Sequence, residues 1–276
     1  MLLKDLTPQW LVRQHFFGIY LEDPETGEVA LPNPQNPSQT IPDSVIQQAI
    51  EESIDWLEDT LDVAIRFDEH IVERHDYDMD TFEDFMQVNL RRYPVIRVHS
   101  LKLTYGEQGQ DLWDVPSDLI QIHGSGSKFG IVNILPMLGI SNNYDPYYAL
   151  LFPGVVKAHR APSLIRVEYD AGIEGMKDEN GKDRRMRQSI IRAVSLRAAI
   201  HPLNILGDIV LGAGIASISG SVDGVSTSVN TTSSAENAAY SARIIMHRRE
   251  LYGEQGVPGL IQTLQKQWRR PGIALL

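Results

Sequence analysis

Apolar residues recur every three or four positions along parts of this chain and alternate along others. From Asp183 to Ile200 the row Met186, Ile190, Val194 and Ala198 stacks on one helical face, with Ile191 beside it. Arg184, Arg185, Arg187, Gln188 and Arg192 hold the opposite face at the start. From Ala193 on, small and apolar residues spread round the circumference, which predicts a helix covered on several sides. Pro202 is expected to stop it, because proline lacks an N–H and pushes His201 out of the α region. LNILGDIVLG would then be a separate short helix.

A second helix is expected from Ser44 to about Leu61, with Ile46, Ile50, Ile54, Leu57 and Leu61 as its apolar row. Ser44 with Gln47 fits a capping box, and Asp43 is a competing cap. Its other face is acidic: Glu51, Glu52, Asp55, Glu58, Asp59 and Asp62. Ser233 with Glu236 forms a second capping box, opening a helix to about Leu251 that ends at Gly253 and Gly256. A last short helix spans 258–268.

Alternation predicts strands at 63–67, 85–90, 95–105, 113–122, 129–135 and 163–169, the last with Ile165, Val167 and Tyr169 on one face. The alternation breaks near His99, where a bulge is expected. Gly124 to Ser127 reads as a connection between strands. The acidic run from Asp68 to Asp84 reads as an exposed loop or hairpin tip. Residues 136–162 read as a long surface excursion. From Gly212 to Ser234, Val and Ile recur among Ser, Gly and Thr, which predicts a hairpin turning at Asp223-Gly224. The fold class is therefore α+β: a helical bundle with an inserted β-strand region and extended arms.

The expected organisation is an N-terminal extended arm (1–40), a helical core (41–252) holding a β insert (about 63–170) and the Ser/Gly-rich hairpin (about 212–232), and a C-terminal segment (253–276). LPNPQNPSQTIP cannot hold a helix or a central strand. Trp10, Phe16 and Phe17 at the aromatic start of the arm are candidates for docking, on the chain's own body or on a neighbour.

Charge narrows the function. Asp plus Glu total 36 and Lys plus Arg 25, a net charge of -11. This argues against nucleic-acid binding driven by overall charge, though an acidic wall can let DNA slide past without sticking. Twelve acidic residues lie between Glu51 and Asp80, against Arg66 and Arg74. From Arg243 to Arg270 the balance reverses, with six basic residues against Glu250 and Glu254. Such asymmetry predicts an oriented molecule with different partners at different faces. There is no cysteine, hence no disulfide framework or thiolate chemistry. The start MLLKDLTPQWLV lacks a secretory pattern, and no run reaches the roughly 18 apolar residues of a membrane helix.

Catalytic motifs are missing. GSGSKFG (124–130) lacks the Gly-Lys-Ser/Thr order of a phosphate loop, and no Gly-x-Ser-x-Gly occurs. His70 and His75, set among Glu69, Glu73, Asp76, Asp78 and Asp80, leave one enzymatic alternative, a metal-dependent hydrolase built on that acidic loop. Their spacing fits neither a helical metalloprotease pair nor a calcium loop. No cofactor, metal or enzymatic activity is expected. Trp268, Arg269 and Arg270 are of the residue types that dominate interfaces.

Three stretches together resemble the head–tail connector, or adaptor, proteins of long-tailed bacteriophages. They are IPDSVIQQAIEESIDWLEDTLDVAI, RRYPVIRVHSLKLTYG with DLWDVPSDLIQI, and APSLIRVEYDAG leading into RRMRQSIIRAVSLRAAI. The tail GIASISGSVDGVSTSVNTTSSAENAAYSARI is similar to the C-terminal part of larger phage neck proteins. The resemblance covers about residues 41–250 and rests on apolar patterns and turns. It implies a structural virion protein forming a ring, commonly of twelve copies, that joins the portal to the next neck or tail protein and lines the DNA channel. It implies assembly in the host cytoplasm and no membrane partner. The acidic residues Glu51, Glu52, Asp55, Glu58 and Asp59 would then face the channel or a partner. Leu260, Leu264, Trp268, Arg269 and Arg270 are candidates for the portal contact. Another tail or baseplate structural protein is the alternative within the same class.

Overall fold

The computed structural model describes residues 3–78, 86–105, 110–122, 125–134, 160–176, 188–211, 217–222, 225–230 and 240–268. In chain order they form α1 (Pro8–His15), β1 (Leu21–Glu22), β2 (Val29–Ala30), β3 (Pro32–Asn33), β4 (Asn36–Thr40), α2 (Asp43–Leu61), β5 (Asp68–Asp78), β6 (Met86–Asn89), β7 (Val95–Tyr105), β8 (Gln110–Asp114), β9 (Ile120–Gln121), α3 (Ser125–Phe129), β10 (Ile131–Ile134), β11 (Arg160–Ala171), α4 (Gln188–Leu211), β12 (Ser217–Val222), β13 (Val225–Asn230), α5 (Ser241–Tyr252), β14 (Gly253–Glu254), β15 (Val257–Pro258) and α6 (Leu260–Trp268). The fold is α+β. The chain divides into two compact units: Met1–Asp62 with Arg185–Arg269, and Val63–Arg184 with Arg270–Leu276.

The first unit is helical and is built from both ends of the chain. Its centre is α4, which packs against α1, α2, α5 and α6. Ile190, Val194 and Ala198 are fully buried, as are Ala193 and Ala199 on the sides. Contrary to the expectation at Pro202, α4 runs through it to Leu211. A proline inside a helix costs about 3 kcal/mol or more. Leu203 and Leu206, both at 0% exposure, lie just beyond it. Burying two leucines returns about 3–6 kcal/mol, so continuing the helix is the better arrangement.

On α2 the expected apolar row is buried, together with Ala49 and Ser53. The expected cap is replaced. The helix starts at Asp43 after Pro42, without a side-chain cap, and Gln47 donates to Glu51 instead, at 3.0 Å. Residues 8–15 are helical rather than extended arm. Thr7 Oγ1 accepts the Trp10 N–H at 3.2 Å and Pro8 opens the first turn, the usual chemistry of a helix start. Leu11, Val12 and Phe16 then bury against the unit. The proline-rich run forms the β3–β4 pair.

The Ser/Gly-rich segment forms an antiparallel hairpin whose register ends at Val222↔Val225, so the connection is the expected two-residue one. The Ser233–Glu236 capping box lies outside the described residues, as do the 136–159 part of the surface excursion and Asp183 to Arg187. α5 ends at Gly253, whose φ of 84° is ready for a turn.

The second unit holds a four-stranded antiparallel sheet, order β5-β11-β7-β8, and a three-stranded sheet, order β6-β10-β9. Ile165, Val167 and Tyr169 of β11 are fully buried, with Leu101 and Leu103 of β7 in the same core. The bulge at His99 is present. Glu168 pairs with Ser100 and Tyr169 with Val98, leaving His99 as the extra residue. The described part of the acidic run, Asp68–Asp78, is instead the edge strand β5, paired with β11; residues 79–84 lie outside the described residues. The connection expected at 124–127 lies between β9 and β10, which pair antiparallel, and residues 125–129 of it form the short helix α3.

Candidate functional site

The acidic run was the only stretch that offered enzymatic chemistry, and β5 explains its composition. Residues 71, 73, 75 and 77 point to the core side of the strand, so Glu73 and His75 are inward polar residues among Ile71 and Tyr77. Glu73 accepts from the Tyr169 hydroxyl and from the Arg91 N–H (3.0 Å), and pairs with His75 Nε2 at 3.0 Å. The Tyr169 oxygen in turn accepts the Arg92 N–H at 3.1 Å. Burial pushes the Glu73 carboxyl up, but the bonds from His75, Tyr169 and Arg91 outweigh it and hold the group at about 2. Burial, then the bond to Glu73, drives the Tyr169 phenol the other way. This network fastens residues 91–92 to two strands.

The hydrolase alternative required His70 and His75 to share a loop. They lie on opposite faces of one strand, five residues apart in a two-residue repeat. Asp76 is engaged with the Ser163 N–H at 2.7 Å. Asp80 lies outside the described residues. Among the described residues no group of three or more His, Cys, Asp or Glu is disposed to hold a metal.

The acidic face of α2 is narrower than expected. Glu51, Glu52, Asp55 and Asp59 are exposed, whereas Glu58 is buried at 9% exposure and leaves the surface row. Glu52 accepts from Gln48 at 2.8 Å and lines a small cleft with Arg197, His201 and Arg248. Glu51, Asp55 and Asp59 form an exposed row at four-residue spacing. Beside it the Arg197 guanidinium lies 5.3 Å from the Trp56 ring centroid, and Tyr252 meets that ring edge-on at 6.2 Å.

The aromatic and C-terminal candidates separate by burial. Phe16, Leu264 and Trp268 are core residues of the helical unit. Phe16 thus docks on the chain's own body, one of the two placements expected for it, and the apolar side of α6 packs within the subunit. Phe17 is 78% exposed, and Arg243 fixes the loop that presents it by donating to the carbonyls of His15 (3.2 Å) and Phe17 (3.3 Å). One helical turn along α5, Met246 is 68% exposed. Trp10 and Leu260, from opposite ends of the chain, line one cleft of about 580 Å³ with His15, Ser195 and the Arg192–Glu250 pair. That pair is bidentate, at 2.6 and 2.8 Å. Arg269 and Arg270 lie outside the described residues.

Two relationships were not anticipated. The rings of His15 and His247 meet edge to face, centroids 5.1 Å apart, and His247 Nδ1 is buried with no hydrogen-bond partner. Burial, then His247 and Arg192, lowers His15 to about 4, and burial also lowers His247. On the outward face of the sheet, the rings of His70 and His99 stack with centroids 4.5 Å apart. Neither pair has a sequence signal, because each joins residues of different elements. No helix among the described residues is long and apolar enough to cross a membrane.

No family model and no curated protein matches the chain. A solved structure described as the neck of an empty GTA particle computed with C6 symmetry contains a similar chain, at a TM-score of 0.34 and 15% identity. The match covers 58% of this chain and 66% of that one, which makes it a weak, partial likeness to a neck component.

Proposed function

We propose that this protein is a structural component of a phage neck, forming a ring that joins the portal to the next neck or tail protein and surrounds the path of the DNA. One observation carries the reading. The helical unit is assembled from Met1–Asp62 and Arg185–Arg269, with the β unit inserted between them. Two of the three stretches that resemble connector proteins supply its principal helices, α2 and α4. The rest of the resemblance falls in the β unit, mainly in β7, β8 and β11.

The surface chemistry supports the same reading. A ring needs a heterologous contact, one face of a subunit against a different face of the next. Phe17 and Met246 are large apolar side chains left in solvent, and Arg243 ties the loop that carries Phe17 to the helix that carries Met246, so these two are the candidates for that contact. The row Glu51, Asp55 and Asp59 gives α2 an anionic surface that repels phosphate, as suits a wall past which DNA slides. Contact with the portal falls to the exposed side of α6, Gln262 and Lys266, and to the cleft edge at Leu260 and Trp10.

The test is co-elution of the purified chain with portal rings of the same phage on size exclusion with light scattering. A joint peak supports the proposed place next to the portal. Assembly with an isolated tail tube, and none with portal, would move the protein to a tail or baseplate position.

A further inference from the structure

The outward face of the four-stranded sheet carries a feature that the neck reading does not use. The pairing of β11 around Asp170 is irregular on both sides. On one side Tyr169 pairs with Ile71 and Ala171 with Asp68, so Glu69 and His70 together oppose Asp170. On the other side His99 is the bulged residue of β7. His70 adopts a φ of 52°, a left-handed conformation that is uncommon outside glycine. Bulges re-aim side chains. These two bring a histidine from each neighbouring strand over the strand between them.

The result is a four-residue cluster. His70 Nδ1 lies 2.7 Å from Glu168 Oε1, and His99 Nε2 lies 2.7 Å from Asp170 Oδ1. The His70 N–H donates to Asp170 Oδ1 at 3.0 Å, and the Ser100 hydroxyl reaches Glu168 Oε2 at 3.5 Å. The imidazole planes are 16° apart. Lone pairs in two nearly parallel planes do not converge on one point, which disfavours a shared metal ion. Each ring instead has its own carboxylate, the arrangement that holds a proton.

We propose that His70, His99, Glu168 and Asp170 form a proton-held clasp across the outer face of β5, β11 and β7, closed while His70 carries its proton and loosened when that proton leaves. The charged groups facing it are Glu69 on β5, Glu168, Asp170 and Arg166 on β11, and Arg97 on β7, the register partner of Asp170. Carboxylates outnumber the guanidinium groups, so a cation between them is favoured. The bond to Glu168 raises the His70 value despite some desolvation, and the bond from His70 lowers that of Glu168. For a raised histidine the stabilisation is present below the ordinary value near 6.5 and is lost as pH rises through the folded value. For the lowered carboxylates it is present above about 4 and lost on acidification. The clasp is therefore closed between the carboxylate range and the folded His70 value, and opens as pH rises through that value.

The experiment is a histidine-ring NMR titration of the full chain from pH 5 to 9, with amide exchange of His70 followed alongside. The His70 midpoint is expected above the ordinary imidazole value. Glu168→Gln should lower it, and His99→Asn should shift it as well. Protection of the His70 amide, corrected for intrinsic exchange, should fall beyond the midpoint, on the order of threefold for each half unit of pKa shift. Near-UV circular dichroism checks that both variants keep the native packing. A wild-type midpoint at or below the ordinary value overturns the proposal, and so does one that neither variant moves. One equivalent of Zn²⁺ that shifts both rings would replace the clasp with a metal site and also overturn it.

Discussion

The hydroxyl of Tyr169, in the middle of β11, donates to the carboxylate of Glu73, 96 residues earlier in the chain, on the neighbouring strand β5. Tyr169 is buried and Glu73 half-buried, and each holds one of the backbone N–H groups of Arg91 and Arg92. Tyr169→Phe removes a donor from the carboxylate and the acceptor of the Arg92 N–H. A loss of about 1–3 kcal/mol is expected, read from urea unfolding followed by far-UV circular dichroism. Glu73→Gln should cost a similar amount.

The same carboxylate sets a pH limit. Its folded value of about 2 lies below the ordinary 4.5, so its contribution is present above 4.5 and is lost as pH falls through 2. The full shift corresponds to something on the order of 3 kcal/mol. In wild type, stability should fall between these values. In Glu73→Gln that part of the fall should be absent.

His15 and His247 place a second limit at higher pH, in the helical unit. His15 is lowered from 6.5 to about 4. Its contribution is present above 6.5 and is lost as pH drops through 4, because the unfolded chain binds the proton more readily. The loss is on the order of 2–3 kcal/mol. Trp10, Trp56 and Trp268 belong to this unit, so tryptophan emission should report the softening before Glu73 protonates. Replacing both histidines with Leu should flatten the dependence between pH 6.5 and 4. An unchanged profile would mean that other groups carry it.

Gly172 has a φ of 123°, and a Cβ there would stand 2.0 Å from the carbonyl oxygen of Arg66. The obstacle is backbone and cannot swing away. Gly172→Ala should therefore destabilise the β unit by roughly 2 kcal/mol or more. A loss of a few tenths of a kcal/mol on chemical unfolding would mean that the chain relaxes locally.

Much of the helical unit was legible because its apolar residues keep one period. The Ile46–Leu61 row and the Ile190–Ala198 row both emerge buried. Ile165, Val167 and Tyr169 were equally clear, and the broken alternation at His99 marked a real bulge. β5 was hidden because Glu73 and His75 occupy inward positions where a strand is expected to show apolar residues. Their partner, Tyr169, lies far along the chain. Pro202 misled for the opposite reason: a local rule was outweighed by burial of Leu203 and Leu206, which local sequence does not reveal. Trp268 looked like an interface residue by type, but residue type does not distinguish a partner's surface from the subunit's own core.

That distinction is testable on α6. Trp268→Ala should cost about 3–5 kcal/mol of stability, as expected for an emptied core site. Gln262→Ala and Lys266→Ala should leave stability within about 0.5 kcal/mol. If α6 meets the portal, these two surface changes weaken portal binding without altering the unfolding midpoint. Phe17→Ser with Met246→Ser should likewise spare the fold and reduce self-association, seen as a shift to monomer in sedimentation velocity.

The most direct measurement is native mass spectrometry of the intact chain, alone and mixed with portal rings of the same phage. The neck assignment predicts a closed multimer of this chain bound to one portal ring, with the multimer lost in the Phe17→Ser, Met246→Ser variant. A monomer that binds neither portal nor any other neck or tail component would contradict it.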